Sequence, residues 1–126
     1  MICGIGVDIV HISRMKKWIK NKGLLERYFN EEELLIVQKK PGGLEASLAA
    51  RFAAKEAFGK ALGTGFEGII LKDITVINMH NGQPDIKIKG TALKAMKRKG
   101  ASIIHLSLSH ERDNAIAMVV LEYERS

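Results

Sequence analysis

Residues 44–62, LEASLAARFAAKEAFGKAL, are the stretch that decides the fold of this chain. The run is rich in alanine and has no internal proline, and Gly63 follows it in a position suited to end a helix. Leu48, Phe58 and Leu62 offer apolar surface to a core, and the alanines between them permit close packing. We therefore predict one long central helix on which the other elements pack.

The flanking segments carry signals for shorter helices and for strands. Asn30 and Glu33 form a capping-box pattern that starts a helix, which reaches about Lys40 and ends at Pro41-Gly42-Gly43. Asn81-Gly82 predicts a hairpin turn. Other helices are expected between His11 and Phe29, in two pieces divided at Gly23, and at 91–99, with strands at 2–10, 69–79, 84–89, 102–109 and 115–123.

The order of these elements predicts the fold class. Helices are grouped early and strands come mostly late, with hairpin-type connections between them. We expect an α+β fold in which a mostly antiparallel sheet packs against the long central helix. At 126 residues, the chain fits a single domain spanning 1–126.

Composition limits the classes of protein. The hydrophobic fraction of 46% and charged fraction of 27% are typical of soluble globular proteins. The single cysteine, Cys3, excludes an intramolecular disulfide and suits a reducing compartment, and we interpret it as a buried, inert thiol. With no secretory signal pattern and no apolar run of about 20 residues, we expect a cytoplasmic protein that does not enter membranes. The net charge of +6 implies an acidic partner: nucleic acid, a phosphorylated small molecule or an acidic protein.

Asp8 and Glu56 are the carboxylates that could carry chemistry. Asp8 has apolar neighbours, so it either caps the helix that follows or binds something, because an unpaired buried charge is costly. Glu56 lies four residues before Lys60 on one helix face, which Gly59 leaves open. Such a pair is often only a surface ion pair of about 0.3–0.5 kcal/mol.

Two further features suggest phosphate binding. Gly63-Thr64-Gly65 offers backbone N–H groups and a hydroxyl beside Lys60, although a lone G-T-G is a weak signal. His110 ends a predicted strand, where it either contacts phosphate or moves a proton, or is a surface residue without a role. The basic stretch 11–28 is either a solvated face or a docking surface for an acidic partner.

Together these segments resemble the holo-acyl-carrier-protein synthase family, the small group of 4′-phosphopantetheinyl transferases. The resemblance covers nearly the whole chain. It rests on GIGVDIV at 4–10, on RFAAKEA at 51–57 running on to Lys60 and Gly63-Thr64-Gly65, and on SLSH at 107–110. It implies transfer of the 4′-phosphopantetheine arm of coenzyme A to a serine of apo acyl carrier protein in fatty acid biosynthesis, by a Mg²⁺-dependent homotrimer with interfacial active sites.

The resemblance also implies roles for individual residues. Asp8 and Glu56 become the Mg²⁺ ligands, and Glu56, Lys60 and His110 become the catalytic residues, with Glu56 as the open choice of general base. Arg14, Lys17 and Lys20 become contacts to the acidic carrier protein, which gives the basic stretch a purpose. Coenzyme A contacts are implied at Arg51, Lys60, Gly63, Thr64, Gly65, Asn81, Gly82, Pro84 and His110.

The chain departs from the family pattern at two places. His11 stands where the family often has an acidic residue, which bears on metal affinity or preference. Pro41-Gly42-Gly43 replaces the usual basic residues before the long helix, and Lys39 or Lys40 is the candidate substitute toward the 3′-phosphate.

Two rival functions remain compatible with these residues. The charge permits a non-enzymatic nucleic-acid-binding protein, but aromatic content is only 6%, no recognition motif is present, and Asp8 and Glu56 stay unexplained. A metal-dependent hydrolase of a nucleotide pyrophosphate would use the same groups with water as nucleophile.

Overall fold

A computed structural model describes residues 1–39 and 43–124. Its helices and strands occur in the grouped order expected for an α+β fold. The elements in chain order are β1 (Ile2–His11), α1 (Met15–Ile19), α2 (Lys22–Tyr28), α3 (Glu31–Gln38), α4 (Leu44–Leu62), β2 (Ile74–Asn78), β3 (Pro84–Ile88), α5 (Gly90–Lys99), β4 (Ile103–His110) and β5 (Asn114–Glu122).

The strands form two antiparallel sheets around α4. A three-stranded sheet has the order β1-β5-β4, and β2 and β3 form a separate hairpin. The long helix is present as predicted and ends at Gly63, whose φ of 85° is left-handed. The predicted antiparallel sheet against a long central helix is confirmed, because one face of the sheet packs on α4.

Two glycines of β1 bring the strand against the helix backbone. A Cβ on Gly4 would collide with the carbonyl oxygen of Ala61, and one on Gly6 with that of Ala57. Side chains at these positions would push β1 away from α4. Ile5, which lies between the two glycines, points to the other face of the sheet, since strand side chains alternate.

That other face of the sheet is apolar and exposed. Val7 pairs with Met118 and Ile9 with Ile116 across β1 and β5. The exposed hydrophobic side chains of this outer sheet face are Ile5, Val7, Ile9, Ile116 and Met118.

Some predicted boundaries are wrong. The break between the first two helices lies at Asn21 and not at Gly23, because the Asn21 side chain accepts a hydrogen bond from Leu24 N and caps α2. The strand predicted at 69–79 is confined to Ile74–Asn78, since residues 71–73 form a 3₁₀ turn. The helix predicted to reach about Lys40 ends at Gln38, with Lys39 as its C-cap, and Lys40, Pro41 and Gly42 lie outside the described residues.

A buried ion pair anchors α4 to the segments before and after it. Lys55 Nζ lies 2.6 Å from Glu33 Oε1, and both side chains are 0% exposed. The same ammonium donates to Tyr28 O at 2.6 Å and to Leu71 O at 3.2 Å. Glu33 also completes the predicted capping box of Asn30. Lys55 therefore ties three segments to the central helix.

Candidate active site

Asp8 lies within β1 and faces α4. Lys60 Nζ donates to Asp8 Oδ1 at 2.9 Å and to Val7 O at 3.2 Å. The Asp8 side chain is 16% exposed and that of Lys60 is 54% exposed. Asp8 pairs with Ala117 inside the sheet, so the helix-cap interpretation is wrong. The ion-pair partner of Asp8 is Lys60, which is exposed to solvent and accessible to ligands.

Glu56 lies one helical turn before Lys60 and close to Asp8. Burial raises the pKa of Glu56, and the negative charge of Asp8 raises it further, while Lys60 and Arg14 oppose the shift. The expected Glu56–Lys60 ion pair is absent among the described residues, and Lys60 bonds to Asp8. Two carboxylates thus share a small volume that favours an added positive charge.

This arrangement suits a hard cation that also binds substrate. Within residues 1–39 and 43–124, no cluster of three or more His, Cys, Asp or Glu side chains could hold a metal ion. Mg²⁺ is commonly held by one or two carboxylates plus phosphate oxygens and waters. The donor set of Asp8 and Glu56 fits that mode, with the remaining ligands supplied from outside the chain.

The turn after α4 lies next to Lys60 in sequence and against the helix in space. Gly65 N donates to Gly59 O at 3.0 Å, and a Cβ on Gly59 would lie 2.9 Å from Gly65 O. The expectation that Gly59 leaves an open face is therefore wrong, because the backbone of Gly65 occupies that space. Gly63 and Gly65 have φ of 85° and 61°, and Thr64 is exposed.

A second group of predicted residues lies around Arg51. A pocket of about 360 Å³ is lined by Arg51, Pro84 and His110 among others. Arg51 is 3% exposed, and its burial lowers its pKa, with Glu33 opposing. Its Nη1 donates to Ser47 Oγ at 2.6 Å and its Nη2 to Asn78 Oδ1 at 3.0 Å.

One nitrogen of the Arg51 guanidinium has no partner within residues 1–39 and 43–124. Among the described residues, its Nε is buried and has no hydrogen-bond partner. Such a group is costly in an apolar interior and is satisfied by a ligand acceptor or an ordered water. Sequence reasoning missed Ser47 and Asn78. The spacing of Ser47 four residues before Arg51 was an available signal, whereas Asn78 had none.

The predicted site residues fall into two half-sites, because the pocket around Arg51 is not lined by Asp8, Glu56 or Lys60. The carboxylate half-site is Asp8, Glu56 and Lys60, and the arginine half-site is Arg51, Pro84 and His110. Asp8 lies on β1 and His110 on β4, with β5 between these strands. Strand spacing of about 4.8 Å separates β1 and β4 by roughly 10 Å. The described residues of one chain therefore do not bring the whole predicted set together.

The predicted docking residues are exposed. Arg14, Lys17 and Lys20 all face solvent. The Arg14 guanidinium lies 5.3 Å from the Phe52 ring centroid and 5.7 Å from that of Trp18, within cation–π range. These contacts hold Arg14 beside the carboxylate half-site.

Comparison with known proteins places this chain and its fold in one family. Residues 4–119 match the family described as the 4′-phosphopantetheinyl transferase superfamily. A holo-[acyl-carrier-protein] synthase of Treponema denticola is 58% identical over 122 residues, which cover 97% of this chain and 99% of that protein. The chain belongs to the 4′-phosphopantetheinyl transferase superfamily, and the resemblance noted in its sequence is confirmed.

Solved structures agree with this assignment. The holo-[acyl-carrier-protein] synthase of Neisseria meningitidis superposes with a TM-score of 0.88 at 38% identity, covering 97% of this chain and 99% of that one. The synthase of Bacillus anthracis, in complex with CoA (3′,5′-ADP), gives 0.82 at 36% identity, covering 98% and 99%. No helix among the described residues is both long enough and apolar enough to span a membrane.

Proposed function

We propose that this chain is a Mg²⁺-dependent holo-[acyl-carrier-protein] synthase acting as one phosphopantetheinyl transferase domain. It moves the 4′-phosphopantetheine group of coenzyme A to a serine of apo acyl carrier protein and releases adenosine 3′,5′-bisphosphate, in fatty acid biosynthesis. The observation that carries the proposal is the carboxylate half-site, in which Asp8 faces Lys60 and raises the pKa of Glu56. Its single cysteine suits action in the cytoplasm.

Asp8 and Glu56 are the proposed Mg²⁺ ligands. Bound there, the metal supplies Lewis acidity toward the pyrophosphate and offsets charge on the leaving group. Lys60 is 54% exposed, so it can exchange its bond to Asp8 for bonds to the pyrophosphate oxygens. Gly63, Thr64 and Gly65 lie beside Lys60. The N–H groups of Gly63 and Gly65 donate to Lys60 O and Gly59 O, so the exposed Thr64 is the residue of this turn that extends the contact.

The transfer step needs one proton acceptor. The serine oxygen of the carrier protein forms a bond to the phosphorus of the pantetheine phosphate. The bond from that phosphorus to the bridging oxygen breaks, and adenosine 3′,5′-bisphosphate leaves with its electron pair. Glu56 accepts the serine proton, directly or through a water, because it is the carboxylate that lies beside Asp8 and Lys60, where the pyrophosphate binds in this proposal.

Coenzyme A spans two protomers in this proposal. Its pyrophosphate binds the carboxylate half-site of one protomer, and its adenosine portion binds the arginine half-site of a neighbour, with Asn81 and Gly82 in the turn that precedes Pro84. Two observations support it: Asp8 and His110 lie on strands that β5 separates, and the outer sheet face is apolar and exposed. We propose three protomers because the family resemblance implies a homotrimer.

The carrier protein docks on α1 and the residues that flank it on either side. Carrier proteins are acidic, and Arg14, Lys17 and Lys20 present positive charge to solvent. Because Arg14 also lies near Glu56, docking there brings the carrier serine toward the carboxylate half-site. Complementary charge of this kind chiefly raises the association rate and makes it sensitive to salt.

The deciding experiment is an incubation of the protein with coenzyme A, Mg²⁺ and apo carrier protein, followed by mass measurement of the carrier. A gain of one phosphopantetheine group supports the proposal. An unmodified carrier with coenzyme A cleaved indicates the hydrolase, and salt-sensitive binding of DNA or RNA without coenzyme A binding indicates the nucleic-acid-binding protein.

Asp8→Ala and Glu56→Ala are each expected to abolish transfer with the circular dichroism spectrum unchanged, and full activity in either would contradict the metal assignment.

Mixed oligomers test the interfacial site. Asp8→Ala damages the carboxylate half-site and His110→Ala the arginine half-site. If sites form between protomers, co-expression of the two variants leaves about a quarter of the interfaces with both half-sites intact. Activity well above either variant alone is expected, and sedimentation of the wild type should give a trimer. Mixed samples no more active than the single variants would place the whole site within one chain.

A further inference from the structure

Asn78 lies at the mouth of the pocket that contains Arg51. It is the last residue of β2 and pairs with Pro84 across the hairpin. Its Oδ1 accepts a hydrogen bond from Arg51 Nη2 at 3.0 Å, and its Nδ2 donates to Gly82 O at 3.2 Å. One side-chain amide thus joins the buried guanidinium to the hairpin turn.

These bonds restrain the guanidinium. Ser47 and Asn78 each accept from one terminal nitrogen of Arg51, so the plane of the group is held at two points. The Nε–H that remains is buried and has no partner among the described residues. A guanidinium restrained in this way loses little rotamer freedom when an anionic oxygen arrives.

We propose that Asn78 is a positioning residue that couples Arg51 to the Asn81–Gly82 turn, so that both reach coenzyme A as one preformed unit. The inference rests on the proposed function, in which Arg51 and the turn bind the coenzyme. Asn78 does not touch the carboxylate half-site, where the bond changes occur, so it acts on coenzyme binding and leaves the chemical step unchanged.

The test is steady-state kinetics of Asn78→Ala in the full assay with coenzyme A and apo carrier protein. Losing a hydrogen bond to a charged group and the link to the turn should raise the KM and the calorimetric Kd for coenzyme A about 5–10-fold. The kcat and the KM for the carrier should stay within about twofold of wild type, since those depend on other residues. Asn78 is exposed on a hairpin, so the variant is expected to fold, and its melting temperature verifies this.

Two comparisons separate positioning from a general loss of structure. Lys87→Ala removes an exposed side chain toward the other end of the same hairpin and should leave every kinetic constant unchanged. In an Arg51→Met background, Asn78→Ala should raise the Kd for coenzyme A less than about twofold, because the guanidinium that it orients is gone.

Each outcome of these measurements supports or contradicts the coupling role of Asn78. A wild type that transfers normally, with an unchanged coenzyme KM in Asn78→Ala or with kcat falling as much as kcat/KM, overturns the coupling and leaves the proposed function standing. A wild type that neither binds coenzyme A nor modifies the carrier overturns the proposed function and this inference with it.

Discussion

Two lysines of α4 each bond a carboxylate, and their surroundings are opposite. Lys55 meets Glu33 at 2.6 Å with both side chains 0% exposed, whereas Lys60 meets Asp8 at 2.9 Å with side chains 54% and 16% exposed. Lys55 also donates to two backbone carbonyls, which uses all three of its ammonium hydrogens. Lys60 bonds to Asp8 and Val7 and keeps donor capacity toward solvent.

The comparison shows that burial determines whether a lysine–carboxylate ion pair stabilises the fold or is available to bind a ligand. In the core, replacing a protein partner by a ligand would require moving a charge through apolar surroundings, so the Lys55–Glu33 pair is fixed. At the edge of α4, water or a phosphate oxygen can take the place of Asp8 at little cost. The buried pair therefore holds the helix, and the exposed pair is available for binding.

The largest expected effect comes from breaking the buried pair. Lys55→Met leaves the Glu33 carboxylate buried without its cation, which should lower the free energy of unfolding by about 3–5 kcal/mol. Urea denaturation followed by circular dichroism measures it. The double variant Lys55→Met with Glu33→Gln should recover part of this loss, because a neutral amide still accepts from the backbone. Equal stability of Lys55→Met and wild type would contradict the structural role.

The matching change in the exposed pair should affect activity more than stability. Lys60→Met removes a cation from the pyrophosphate, and the transfer rate should fall on the order of 10²-fold. Its unfolding free energy should change by less than about 1 kcal/mol, since exposed pairs contribute little. Mass-detected transfer and urea denaturation of the same sample measure both. A Lys60→Met protein as unstable as Lys55→Met would remove the distinction between the pairs.

Replacing Glu56 should raise the stability of the metal-free protein, because the two carboxylates of the carboxylate half-site repel each other. Its charge is partly buried and close to Asp8, so Glu56→Gln should stabilise the metal-free protein by a melting-temperature rise of about 1–3 °C. The same variant should lose transfer activity. Thermal melts in the presence of a chelator measure the first effect, and a lower melting temperature in the variant would argue against repulsion between the two carboxylates.

The smallest expected effect on stability concerns Asp73, a carboxylate that is held by hydrogen bonds and not by a buried ion pair. Asp73 accepts from Thr91 N at 2.8 Å and Oγ1 at 2.6 Å at the start of α5, and these bonds lower its pKa. The stabilisation is present above the ordinary aspartate pKa and is lost as the pH falls toward the lowered value. Asp73→Asn should cost about 0.3–1 kcal/mol at pH 7, because it removes a negative charge from the start of α5, and less near pH 3. A pH-independent difference would contradict the assignment.

Features that depend on neighbours in the chain were predictable. The alanine-rich run and Gly63 predicted α4 and its left-handed end, and Asn30 with Glu33 predicted the capping box that is observed. The break between α1 and α2 was wrongly predicted at Gly23, because the cap formed by Asn21 stabilises α2 more than a glycine in its first turn destabilises it. Strand ends near residue 69 were misjudged because a 3₁₀ turn also contains apolar residues.

Contacts between distant segments were not predictable. The pairing of Lys55 with Glu33 and the bond between Asn78 and Arg51 join residues 22 and 27 positions apart. Neither pair has a spacing that periodicity could detect, because periodic patterns report only which face of one element is apolar.

The sequence by itself determined the elements, the family and the residue types of the site, because capping, periodicity and motif spacing act over a few neighbouring residues. Only the tertiary structure decided that Lys55 is buried and Lys60 exposed, and that Asp8 and His110 lie on strands separated by β5. The physical reason is that burial depends on how β1, β5 and α3 pack around the helix, and that packing sets the cost of each charge.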